Sequence, residues 1–225
     1  MNLIDQALAF LTDPMNWTGA AGIPQRMLEH LGYTALTMAI ALIIAVPLGL
    51  WVGHTGRGSG VVVGITGALR SLPTLGLLTL FTLLMGLGLL PPILALVLLA
   101  IPPILSGTYS GVASVSPALV DGARAMGMTE RQTLTRVEIP VALPVILGGI
   151  RNAALQVLAT VTIVAYINLG GLGRYLIDGL AVRDYARMLA SVVLVAVLAL
   201  AADAILALIQ RLVTSPGLRL AGERS

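Results

Sequence analysis

The sequence predicts an all-α polytopic membrane protein with about five transmembrane helices, and three observations predict it. Hydrophobic residues make up 57% of the 225-residue chain and charged residues 10%, with a mean hydropathy of +0.98; soluble domains carry about 25% charged residues. Residues 71–120 form a run of 50 positions without Asp, Glu, Lys or Arg, well beyond the roughly 20 apolar residues that cross a bilayer. All 13 basic residues are arginine, and they fall unevenly between the hydrophobic runs, the kind of asymmetry that orients membrane proteins.

The same composition excludes several functions. Without lysine the chain has no Walker A loop, which needs a Lys on the β- and γ-phosphates, so ATP hydrolysis by the chain itself is not expected. A Schiff-base or lysine nucleophile is excluded as well. The absence of cysteine removes disulfides, thiol catalysis and Cys-ligated metals. A pI of 9.8 reflects a net charge of only +3, so the arginines are read as topology signals and not as a nucleic-acid surface.

Residues 1–32 begin without a basic region and carry Asp5 and Asp13, so no cleavable signal is expected there. Leu3, Ala7, Leu8 and Leu11 recur at helical spacing, which predicts an amphipathic segment on the outer membrane surface. Pro24 is expected to mark a break before the first span. Membrane-domain residues 33–213 then supply spans at about Tyr33–Val52, Leu72–Leu90, Ile93–Tyr109, Val145–Ile167 and Ala186–Ile209, with a short hydrophobic helix over Val61–Leu69. Pro91–Pro92 reads as the turn before the third span and Pro102–Pro103 as a break inside it. Residues 214–225 form a tail.

Arginine placement orients these spans. One side holds Arg57, Arg70, Arg124, Arg131, Arg136, Arg211, Arg219 and Arg224; the other holds Arg26, Arg174, Arg183 and Arg187. Eight against four places the C-terminus and the connection over residues 110–143 in the cytoplasm, with the N-terminus outside.

That connection is the longest in the chain. Ser116–Pro117 opens a helix, and Leu119, Ala123 and Met126 at i, i+4 and i+7 predict one apolar stripe. Gly127 supplies the left-handed residue that ends it. A second short helix over about Thr129–Val137 is expected to stop before Pro140. The result is a helix–Gly–helix hairpin presented to a cytosolic partner.

Asp121-Gly122-Ala123, three residues, Gly127, nine residues, then Val137-Glu138-Ile139-Pro140 resembles the EAA loop of bacterial ABC importer permeases: Glu-Ala-Ala, three residues, Gly, nine residues, Ile-x-Leu-Pro. Asp121 stands for Glu, Gly122 for the first Ala, Val137 for Ile and Ile139 for Leu; the shorter carboxylate bears on the usual ion pair with the ATPase. The resemblance covers roughly Arg26 to Arg211. It implies a type I importer transmembrane fold, with this loop seated in a groove of the ATPase. It further implies two ATPase subunits that bind ATP and Mg, a second permease copy or paralogue, and an extracytoplasmic substrate-binding protein. The chain itself then holds no cofactor and no metal, contacts the lipid bilayer and no nucleic acid, and resides in the bacterial cytoplasmic membrane.

Shorter matches narrow the branch. Ile23-Pro24-Gln25-Arg26, Glu29-His30-Leu31, Thr34, Gly53-His54-Thr55-Gly56-Arg57-Gly58 and Arg70-Ser71-Leu72-Pro73-Thr74 look like the glycine betaine, choline and carnitine branch. Gly170-Gly171-Leu172-Gly173 is shared with methionine-type permeases, and ergothioneine importers look similar. Methionine or ergothioneine therefore stands as the alternative cargo.

His30 and His54, without HExxH or cysteine, read as interface histidines and not metal ligands. Gly56–Gly60 lacks the Lys and preceding strand of a phosphate loop and reads as a flexible turn. Arg151 and Asp203 lie inside hydrophobic stretches, where charges are functional suspects; structural anchoring and ion coupling both fit. Asn152, Gln156, Tyr166 and Asn168 fit either a translocation pathway or hydrogen bonds between packed helices. Aromatics are 4% of the chain, too few for the cage that quaternary ammonium ligands favour. An ion-coupled secondary transporter would show internal repeats, and none is visible; an intramembrane enzyme would need a nucleophile–base pair inside the membrane.

Overall fold

The structure, a computed structural model, describes residues 2–214; Arg219, Arg224 and all but the first residue of the expected tail lie outside the described residues. Helix α1 (Leu3–Thr12) starts at a reciprocal capping pair, Asn2 with Asp5, which satisfies two orphan amides of its first turn. Leu3, Ile4 and Leu8 face outward while Ala7 is buried. A 3₁₀ turn, Pro14–Trp17, follows.

Helix α2 (Ile23–Thr55) begins well before Tyr33, so the break expected at Pro24 is a correction. Pro24 occupies the first turn, where a missing N–H leaves no hydrogen bond unmade. Helices α3 (Ser59–Ser71) and α4 (Thr74–Met85) meet at Pro73 with a bend of 85°. Helix α5 (Leu90–Ala113) takes Pro91 and Pro92 into its first turn and runs through Pro102–Pro103 without interruption, so neither proline pair is the turn or break expected.

Residues 110–143 are also mostly helical. Helix α6 (Pro117–Ala125) is followed by the single turn α7 (Glu130–Thr133), a π-helical turn over Leu134–Glu138, and α8 (Ile139–Thr160). The second hairpin helix therefore does not stop before Pro140. Proline removes the amide that would bond the carbonyl four residues back and crowds that carbonyl. The chain takes up a wider turn instead, in which the Ile139 amide reaches Leu134, five residues back. A 3₁₀ turn over Val161–Ile167 ends α8, and α9 (Gly173–Val182) and α10 (Tyr185–Val213) complete the chain.

Four stretches are long and apolar enough to cross a membrane: Ile23–Thr55, Leu90–Ala113, Glu130–Ile167 and Tyr185–Val213, with the bent pair α3–α4 as the fifth. The described residues cluster into two compact units. One comprises residues up to 40, 72–99 and 154–203, and the other comprises 41–71, 100–153 and those from 204 onward.

In the first unit Ile23, Leu158, Leu172, Tyr175 and Leu198 form the core, with Phe10, Leu11 and Met27 against it. The Tyr175 hydroxyl donates to the Ala21 carbonyl at 2.5 Å, and its ring meets Phe10 edge-on at 5.5 Å. Burial pushes this phenol above its usual range, so it remains a donor. Glu29 accepts from the Gly171 amide at 2.7 Å and from Arg26 at 2.9 Å. His30 is fully buried with Nε2 2.8 Å from the Leu158 carbonyl, a packed core histidine and not the interface residue expected.

The second unit is built on small residues. Val112, Val115, Val120, Ala142 and Ile146 make its core, with Leu50 and Leu134 packed on it. A Cβ on Gly149 would lie 2.8 Å from the Pro103 carbonyl oxygen and 2.9 Å from the Gly107 Cα, so the backbones of α5 and α8 touch there. Small residues permit this close approach between membrane helices. Gln210 on α10 donates to the Pro144 carbonyl at 2.9 Å.

Candidate coupling site

The hairpin of α6 and α7 projects from the second unit, and its bend follows from one residue. Gly127 sits at φ +84°, a left-handed conformation that glycine adopts without steric cost. Its amide bonds the Arg124 carbonyl at 2.9 Å, and the Met128 amide bonds the Ala123 carbonyl at 3.2 Å. Those two bonds close a Schellman motif at the end of α6. Thr129 then starts α7 with a reciprocal capping pair, its amide donating to the Gln132 side chain at 2.8 Å.

The apolar stripe expected over Leu119, Ala123 and Met126 is divided. Ala123 is buried with Val120, whereas Leu119 is 51% and Met126 76% exposed. Helical spacing identified neighbours on α6, but the core formed by Val112, Val115, Ala142 and Ile146 selects the Val120–Ala123 face. The outward surface therefore shows Leu119 and Met126, together with Asp121, Gly122 and Ala125. Of the other residues singled out in this segment, Val137 and Ile139 are half-buried and Pro140 is exposed in the first turn of α8.

A chain of charges runs from the exposed surface of the hairpin to its buried side. Arg124 is 3.6 Å from Asp121 and forms a two-pronged pair with Glu130 at 3.1 and 3.0 Å. The Glu130 carboxylate raises the Arg124 pKa further above its already high value. Glu130 also lies 3.2 Å from Nε2 of His54, and Nδ1 of the same ring is 2.5 Å from Glu138. His54 is on the last turn of α2, so five side chains from α2, α6, α7 and the π-helical turn join into one network. The sequence reading did not single out Glu130 or Glu138. The only sequence signal was a lone acid inside the apolar run Val137–Ile139.

The residues read as a pathway separate into different settings. Asn152 is exposed on α8 in the second unit. In the first unit Gln156 is half-buried, and its carbonyl accepts from Thr160 at 2.7 Å. Tyr166 is exposed and lines an open pocket of about 250 Å³ with Leu75, Leu78, Thr79, Thr82 and Leu83. Asn168 is left-handed at φ 67° and accepts from Arg174 at 2.6 Å, which commits its side chain to α9 and not to that pocket. Arg151 and Asp203 are half-buried, and each is engaged in a polar or charge interaction. Among the described residues no group of acidic, His or Cys side chains is arranged to hold a metal ion.

Comparison with known proteins agrees with this architecture. The family model described as "Binding-protein-dependent transport system inner membrane component" matches residues 45–215. The chain is 35% identical over 191 residues to the glycine betaine/carnitine/choline transport system permease protein OpuCB of Bacillus subtilis, covering 85% of this chain and 88% of that one. It is 36% identical over 196 residues to the osmoprotectant import permease protein OsmW of Salmonella typhimurium, covering 85% and 91%. In fold it is similar to a chain of the inward-facing MetNI methionine ABC transporter, with a TM-score of 0.76 at 23% identity over 91% of this chain and 100% of that one.

Proposed function

The chain belongs to the family of binding-protein-dependent transport system inner membrane components, and we propose that it is the permease subunit of an ATP-driven importer of a small osmoprotectant such as glycine betaine, choline or carnitine. The observation that carries the coupling role is the hairpin: a rigid, capped knob with an exposed apolar pair, Leu119 and Met126. Because they lie on the connection between spans, Leu119 and Met126 are apolar side chains that a partner can bury. Asp121, with its side chain three-quarters exposed, supplies an anionic contact beside it.

In this reading two ATPase subunits bind ATP and Mg, and each receives one hairpin, from this chain and from a second permease copy or paralogue. A binding protein delivers the solute on the opposite face. The hairpin is cytoplasmic, which the arginine asymmetry supports, and the N-terminus is outside. ATP-driven closure of the ATPases displaces the hairpins, and the spans alternate between inward-open and outward-open states. Coupling of this kind requires a two-state element that both sites bias, and the membrane helices supply it. Tyr166 and its pocket, together with Asn152 and Gln156, are the side chains we place nearest the pathway. The osmoprotectant class rests on the permeases of glycine betaine, carnitine and choline named above and on the short matches around Arg26, His54 and Arg70. Methionine remains the second reading, on the Gly170-Gly171-Leu172-Gly173 match shared with methionine-type permeases.

The test is the native mass of the complex purified in gentle detergent through a tag on this chain. Two permease-sized and two ATPase-sized chains are expected, and their masses distinguish a homodimer from a heterodimer. A chain recovered with no ATPase would refute the assembly. Uptake of glycine betaine, choline, carnitine and methionine by the reconstituted complex then assigns the cargo.

A further inference from the structure

We infer that His54 is the positioning residue through which the hairpin moves α2: its ring bridges the buried Glu138 and the hairpin's Glu130. The inference rests on the coupling role proposed above and names the route by which displacement of the hairpin reaches a membrane-crossing helix.

Both ring nitrogens of His54 face carboxylate oxygens, at 2.5 Å for Glu138 and 3.2 Å for Glu130. A neutral imidazole has one N–H, and only the imidazolium donates from both nitrogens. An imidazolium there would satisfy both carboxylates at once. Glu138 needs such a partner: the residue is 4% exposed, and a carboxylate buried without a partner is strongly unfavourable. Glu130 is more exposed, but Arg124 grips it with two hydrogen bonds from α6. The line runs from Asp121 through Arg124, Glu130 and His54 to Glu138, and the four apart from His54 are the charged groups facing or backing it from α6, α7 and the π-helical turn.

The π-helical turn sets the geometry. One extra residue in a helix rotates everything after it by about 100°. The widened turn ends on Glu138, so the inserted residue fixes the direction in which Glu138 meets α2. Apolar packing also holds the end of α2: a Cβ on Gly53 would sit 2.7 Å from the Val112 side chain. Packing resists both approach and separation without direction, and the charge bridge adds a directional tie between the hairpin and α2. A push or a pull on Asp121–Met126 therefore reaches α2.

The experiment uses the complete complex with its ATPase and binding protein in proteoliposomes, with glycine betaine, choline and carnitine as probes. Three variants are compared with the wild type: His54→Ala, His54→Arg and Glu138→Gln. All are expected to retain ATPase co-purification and basal hydrolysis, because the outward face of the hairpin is untouched. Solute moved per ATP should fall about tenfold in His54→Ala, within the range of a single coupling free energy. It should fall similarly in Glu138→Gln, which keeps the shape and removes the charge. His54→Arg, which restores a multi-donor cation, should recover most of the ratio. A wild-type ratio in His54→Ala or Glu138→Gln would overturn the inference, and so would an Arg variant as poor as the Ala variant. A wild-type chain that fails to retain any ATPase would instead defeat the coupling role itself, a separable result.

Discussion

Two Gly→Ala substitutions in one hairpin should have opposite signs. Gly127 is at φ +84° and a Cβ there would meet nothing within 4 Å. The cost of alanine is then purely that of the left-handed backbone, roughly 1–2 kcal/mol. Gly122 lies inside α6, and its Cβ would also meet nothing within 4 Å. Alanine there should stabilise the helix by about 0.5–1 kcal/mol, because glycine loses more backbone freedom on folding. With tenfold per ~1.4 kcal/mol, amide exchange across residues 117–133 should quicken about 5- to 30-fold in Gly127→Ala and slow roughly 2- to 5-fold in Gly122→Ala. Hydrogen exchange read by mass spectrometry on the purified chain gives both numbers. Uptake should fall in the first variant and persist in the second, which restores the alanine of the EAA pattern. Equal signs for the two, or an unaltered hairpin in Gly127→Ala, would refute the left-handed bend as the organising feature.

Three further outcomes are expected. Gly127→Pro forces φ to about −65° and removes the amide that bonds Arg124, and a phenylalanine at Ala123 overfills the Val120 face; each should abolish uptake while a protease-protection assay shows normal insertion. Replacing Leu119 and Met126 together by serine should reduce ATPase co-purification while leaving the thermal midpoint of the isolated chain within about 1 °C, since both are exposed. Gly149→Ala places a methyl 2.8 Å from the Pro103 carbonyl oxygen and should lower the chain's unfolding free energy by about 1–3 kcal/mol through overpacking, read by denaturant titration in detergent.

Four of the spans were legible because each of those hydrophobic runs is long enough to be sufficient evidence by itself; the second, expected over Leu72–Leu90, is a correction, because α4 has only 12 residues and reaches span length only together with α3. The prolines misled for a physical reason. A proline is disruptive only where its missing amide was needed, and that depends on the distance to the helix start. Pro24, Pro91 and Pro92 sit in first turns, which cannot be known before the starts are known. Pro140 is accommodated by widening the preceding turn, a response that no local propensity encodes. On the hairpin, spacing gave the right helix and the wrong face: Leu119 and Val120 are adjacent, and the residues that choose between them lie on α5 and α8. His54 and Glu138 are 84 positions apart, so their pairing belongs to the fold and not to any motif window.

The hairpin is built as a stiff body with two different faces. Its inward face packs Val120 and Ala123; its outward face carries exposed Leu119 and Met126 beside Asp121, and the line of charges leads from that face to the buried Glu138. Exposed ion pairs contribute little stability singly, so the Asp121–Arg124–Glu130 line is poorly explained as reinforcement of a surface turn. Its chemistry fits another demand. A part that transmits displacement must not bend internally, and it must hold its neighbour in tension as well as in compression. The Schellman closure at Gly127 and the cap at Thr129 meet the first requirement. The second falls to His54, because it is where the charge line leaves the hairpin and enters a membrane-crossing helix.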